Sequence, residues 1–128
     1  MEKNHLEQAR LWLEASKYIS NSNASKERYV VSTALAIHAI IKANDALTFK
    51  FLNITARRHD DARRLFEDLI KKNFIKSEYA NYRHIIQDAI TNKSRVEYRI
   101  TYFSKKDADS MIGKAEKFIK MVESIIIS

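Results

Sequence analysis

Cysteine and proline are absent from this chain, and Gly113 is its only glycine. Without cysteine there are no disulfides, thiolate nucleophiles or cysteine-ligated zinc sites, and the usage fits a reducing cytoplasm. One glycine cannot build the phosphate-cradling loops of P-loop or Rossmann sites, and nothing resembles a nucleophile elbow. An all-β chain needs many turn residues, so this composition predicts an all-α fold. No apolar run approaches the ~20 residues that span a bilayer. The first residues, Met1 to His5, do not read as a signal peptide. The expectation is a cytoplasmic protein with no membrane association, organised as one domain over residues 1–128.

What is abundant is positive charge. The net charge is +7, and residues 57–76 and 77–106 contribute +3 each, whereas residues 1–22 sum to zero. A polyanionic partner would meet the middle of the chain.

Five helical segments read from the apolar spacing. The first covers about Asn4–Ile19, with Asn4 and Glu7 as a capping box. The second covers about Lys26–Leu52 after the polar turn Asn21 to Ser25. The third covers about Asp60–Asn73, with Asp60 and Asp61 at the positive end of its dipole. Ser77 caps the fourth. Ser104 and Asp107 cap the fifth, whose stripe Ala108, Met111, Ile112, Ala115, Phe118, Ile119, Val122 and Ile126 repeats every 3.6 residues. Residues 95–103 alternate apolar and polar but have no partner strand, so they read as a helix end passing into an extended connection. Short connections predict an up-and-down four-helix bundle with an additional helix.

The run Ala34 to Leu47 is apolar nearly all round yet contains His38, Lys42, Asn44 and Asp45. Such a helix is buried on several faces, and charge inside it must be paired or functional. His38, Lys42 and Asp45 share one face and are candidates for a polar groove, or for a buried network that fixes helix register. An excess apolar face on this helix suggests a homodimer; the alternative is that the helix is central in the monomer. Arg57, Arg58, Arg63 and Arg64 cluster around a helix start, where free N–H groups suit phosphate. Arg83, His84, Lys93, Arg95 and Arg99 extend this candidate phosphate or nucleic-acid surface; salt bridging to neighbouring acids is the competing account. His59 with Asp60 and Asp61, or His84 with Asp88, is too small a set for a metal, so no metal or cofactor is expected. Tyr79, Tyr82, Tyr98, Tyr102 and Phe103 suit either base stacking or closure of the bundle ends.

Two stretches carry a family resemblance. His38 to Ala46 resembles the second-helix core of a prokaryotic branch of the HEPN superfamily. Lys93-Ser94-Arg95-Val96-Glu97-Tyr98, with Lys106-Asp107-Ala108 and Ala115 to Phe118, resembles the connection and final helix of that branch. The likeness runs over roughly residues 5–123 and implies a HEPN-like bundle. Active members carry an arginine followed, after four to six residues, by a histidine; these meet across a dimer cleft and cleave RNA without metal. No arginine here has a histidine at that spacing, and Lys93 and Tyr98 occupy the matching place. Lysine can hold a phosphate, but tyrosine titrates near pH 10 and shuttles protons poorly at pH 7. The resemblance therefore implies a non-catalytic binding or accessory module for RNA or a nucleotide. It also implies a nucleotidyltransferase partner in a toxin–antitoxin or defence system. The alternatives are a ribonuclease with a non-standard set such as Lys93, Arg95, Tyr98 and His84, and a helical assembly module without a ligand.

Overall fold

The computed structural model describes residues 1–98 and 102–127, and of Tyr98 the backbone only. Helices α1 (Glu2–Ser20), α2 (Arg28–Leu52), α3 (Asp61–Lys71), α4 (Arg83–Tyr98) and α5 (Lys105–Ile127) follow in order, with a 3₁₀ helix at Ser77–Tyr82 leading into α4. There is no strand among the described residues.

Contacts between the helices give their directions. Ser16 meets Ser32, and Trp12 meets His38, so α1 and α2 are antiparallel. Arg10 binds Glu123 and Lys17 binds Glu116, so α1 and α5 are antiparallel too. Tyr82 lies against Phe118, and Lys114 bonds Asp88, which runs α4 antiparallel to α5. These four helices form the up-and-down set, and α3 is the additional helix. After Leu52 the chain doubles back along α2: Ala56 reaches Asp45 and His59 reaches His38. Helix α3 then starts beside Asn44 and leads to Phe74 beside Phe51.

Helix α2 packs against all four other α-helices. Ala36, Ala39, Ala43 and Ala46 are fully buried, so its small-residue faces are consumed within the chain. By length and composition α2 is apolar enough to cross a membrane, which the run-length expectation missed; 67% of its most apolar stretch is buried by the bundle. The α1–α2 approach is close enough for reciprocal serine bonds. Ser16 Oγ donates to the Ser32 carbonyl at 2.6 Å, and Ser32 Oγ donates to the Ser16 carbonyl at 2.9 Å. Phe66 and Phe118 meet at 6.0 Å in the core. Of the aromatics, Tyr79, Tyr82 and Phe103 pack inward, and Tyr102 is exposed.

Helix ends show how a chain with one glycine stops a helix. Asn53 and Asn73 adopt φ of 57° and 59°. Asparagine tolerates this left-handed conformation better than most residues and takes the place glycine usually fills. The Ser104–Asp107 box is formed: Ser104 N–H donates to Asp107 Oδ2 at 2.9 Å, and Asp107 N–H donates to Ser104 Oγ at 3.2 Å. Two caps differ from expectation. Helix α1 starts at Glu2 after Met1, so Asn4 and Glu7 already lie inside it. Ser77 opens the 3₁₀ helix without a side-chain cap, and α4 proper begins at Arg83.

Gly113 sits within α5, and a Cβ added there meets nothing within 4 Å. Gly113→Ala should therefore stabilise the fold by about 0.5–1 kcal/mol by removing backbone freedom from the unfolded chain. Urea unfolding checks this; a midpoint that falls would mean that position 113 needs glycine.

Candidate functional site

The fold-back of the α2–α3 loop creates the main polar cleft. Asp45 and Asn44 are neighbours on α2, 7% and 0% exposed. Asp45 Oδ1 accepts the Ala56 N–H at 3.3 Å, and Asn44 Nδ2 donates to the Ala62 carbonyl at 3.0 Å. These bonds hold both ends of the segment that carries Arg57, Arg58 and His59. An open cleft of about 370 Å³ lies between that segment and α4, lined by Arg57, Arg58, His59, Asp60, Ile90, Lys93, Ser94 and Glu97.

His38 of α2 touches His59 of that lining without lining the cleft itself. Its ring meets His59 edge-on, with centroids 6.0 Å apart and planes at 88°. Its other neighbour is Trp12 of α1, stacked at 5.2 Å. On α4, Lys93 Nζ pairs with Glu97 Oε1 at 2.6 Å, one helical turn away. Burial pushes the His59 imidazole below its ordinary range; the Lys93 charge and His38 push the same way, against Glu97 and Asp60. Burial also lowers His38, helped by Lys93 and Lys42 and opposed by Glu97. Both rings are thus neutral at pH 7. His59 Nδ1 is buried without a hydrogen-bond partner among the described residues. A neutral ring with an open nitrogen can accept or donate one proton.

The sequence-derived candidates separate into groups. Arg57, Arg58 and Lys93 converge on the cleft. His38 touches His59 beside the cleft, whereas Asp45 turns to the Ala56 backbone, so these two do not share one groove. Burial raises Asp45 above the usual carboxylate range, while the Ala56 hydrogen bond and the charges of Lys42 and His5 pull it back. Arg63 is engaged by Glu67 and by Gln87 at 2.9 Å. Arg64 faces Asp61 and Asp68. Arg95 bonds Asn92 at 2.8 Å and lies over the Phe103 ring. Arg83 is exposed at the start of α4. His84 Nδ1 donates to the Asn81 carbonyl beside a different hollow, about 13 Å along the helix from Lys93 by helical rise. The side chain of Tyr98 and all of Arg99 lie outside the described residues. No three His, Asp or Glu side chains among the described residues gather as metal ligands would.

Two contacts beside the cleft cannot be read from sequence spacing. His59 joins His38 only through the fold-back of the loop, which no spacing rule contains. Trp12 reads as core from its helical register, and nothing in the local pattern marks it as a neighbour of His38.

The histidine shifts set a pH dependence. His5, His38 and His59 all lie below their ordinary value in the fold, burial being the largest cause. The unfolded chain therefore takes up protons first, near pH ~6.5, and stability falls as pH drops from there through the folded values. Asp45 has the opposite sign: its raised value returns stability as pH falls through it toward the ordinary ~3.9. Denaturant melts between pH 7.5 and 5 should show the first loss, reduced in His38→Ala and His59→Ala; a flat wild-type profile would contradict it. Separately, Asp45→Ala should speed hydrogen exchange across Ala56–Asp61 while the α5 amides keep their protection.

Comparison with curated proteins gives no match. A family model described as the HEPN domain matches residues 3–125, nearly the whole chain, as the helical order and the stretches around His38 and Lys93 anticipate. By that match and by its all-α bundle, the chain belongs to the HEPN-domain family.

Proposed function

We propose that this HEPN protein is a binding module that holds RNA or a nucleotide through its phosphates in the cleft between the α2–α3 loop and α4. The observation that carries this is the convergence of Arg57, Arg58 and Lys93, from two separate elements, on one open cleft. Three cations there face two carboxylates, Asp60 and Glu97. The neutral imidazole of His59 on the wall, with His38 against it, can add charge when an anion arrives. A non-catalytic role follows from the departure at Lys93 and Tyr98, where the nuclease pair of the family is missing. Self-association as a homodimer and an accessory role beside a nucleotidyltransferase, in a toxin–antitoxin or defence setting, belong to the same proposal and rest on the family relationship.

One observation favours a second reading, a metal-independent ribonuclease. His38 and His59 are adjacent, neutral and flanked by cations. One ring can take the proton of a ribose 2′-hydroxyl as its oxygen attacks phosphorus to form a 2′,3′-cyclic phosphate, while the P–O5′ bond breaks and the other ring, in the minority of molecules that carry it protonated, gives its proton to the leaving 5′-oxygen; Lys93 would steady the phosphate charge. In the alternative set Lys93, Arg95, Tyr98 and His84, His84 stands beside a different hollow.

Binding of labelled single-stranded RNA should be measurable at low salt and weaken steeply as salt rises. Arg57→Ala, Arg58→Ala and Lys93→Ala should each weaken it roughly tenfold, the worth of one charged hydrogen bond, and lower the salt slope by about one. Salt-independent binding, or no binding at low salt, would end the proposal. Incubation with RNA in EDTA separates the two readings: intact RNA fits the binding module, and cleavage lost in His38→Ala and His59→Ala selects the ribonuclease.

A further inference from the structure

Trp12 is the sole tryptophan of the chain. It stands at the surface, 37% exposed, next to Leu11 at 55%. Exposing two large apolar side chains together forfeits burial free energy that a core position would give. One face of the indole is already used, stacked on His38 at 5.2 Å with planes 25° apart. Beside it opens a shallow hollow of about 300 Å³ lined by Gln8, Leu11 and Trp12. His38 then meets His59 at 6.0 Å, and His59 lines the cationic cleft. An indole, two imidazoles and the cations Arg57, Arg58 and Lys93 thus follow one another along one surface.

We propose that Trp12 is a stacking platform for a base of single-stranded RNA whose adjoining phosphates occupy the cleft. The inference rests on the phosphate-binding reading above and adds the ligand class: a strand with bases, rather than a phosphate or sugar phosphate alone. A cationic groove beside an aromatic face is the arrangement that holds single strands with little sequence preference. The two ring-to-ring steps place platform and cations within the reach of about one or two nucleotides. Stacking on His38 holds the indole in one orientation before the ligand arrives, which lowers the ordering cost of binding. Gln8 supplies an amide beside the platform that can meet a base edge. A second copy is the poorer occupant. The hollow is lined by three side chains, far fewer than the roughly 20 residues a side of a stable interface.

The test uses the emission of Trp12 at pH 8 and low salt, where both imidazoles stay neutral and a bound phosphate cannot act on the indole by protonating His38. Hexameric oligouridylate should quench the emission saturably. Ribose 5-phosphate should displace labelled RNA from the cleft without that quenching. In polarisation assays, Trp12→Ala should lose about tenfold in RNA affinity and Trp12→Phe much less, with ribose 5-phosphate affinity unchanged in both. Leu11→Glu, at a more exposed position, repeats the test without disturbing the His38 stack and should lower RNA affinity alone. Unquenched emission with wild-type RNA affinity in Trp12→Ala and Leu11→Glu overturns the platform and leaves the cleft standing. If neither RNA nor ribose 5-phosphate binds the wild type, both proposals fall. Self-association abolished by Leu11→Glu, with RNA binding unaffected, assigns the face to a second copy and overturns the platform.

Discussion

Helix α2 has to be covered on nearly every side, and the rest of the bundle is arranged to do it. Its alanines let α1 approach closely enough for Ser16 and Ser32 to exchange hydrogen bonds, while α3, α4 and α5 take the remaining faces. Burial of a helix this apolar supplies much of the folding free energy, at about 25 cal/mol per Å² of apolar surface removed from water. The same burial forces a decision on each polar side chain that α2 carries. Asn44 and Asp45 are sunk beneath the surface, and each takes one backbone partner: the Ala62 carbonyl in the first turn of α3 and the Ala56 N–H of the loop that returns along α2.

That pairing turns a core feature into a surface one. The loop is held at Ala56 and Ala62, and the residues between them have nowhere to go but outward, toward α4. Two arginines and a histidine therefore face Lys93. Burial keeps the histidines neutral, and the Lys93 charge adds to the effect. The cations of the cleft are accordingly balanced in part by Asp60 and Glu97, and the one imidazole that lines it, His59, is held neutral.

Much of the architecture is legible along the chain. The 3.6-residue stripe of α5 and its Ser104–Asp107 box appear as read, because both are local and both patterns agree. The polar turn before α2 and the apolar excess of α2 are equally plain. The misplaced caps have a common cause. Asn4 and Ser77 are good capping residues, but a helix begins where packing allows, and a preceding turn (Met1 onward, or the 3₁₀ segment) overrode each. The site is legible only in part: Lys93, Arg57 and Arg58 stand out by charge and by resemblance. Arg63, Arg64 and Arg95 look the same in sequence but do not line the cleft.

From composition and periodicity alone come the helical class, the central helix, the basic middle of the chain and the missing arginine–histidine spacing. These depend on residues within a few turns of one another, or on none at all. The meeting of Trp12, His38, His59 and Lys93 depends on four separate segments and on the path of the α2–α3 loop. That path is set by two buried side chains seeking backbone partners, a long-range satisfaction that emerges only when the helices are packed.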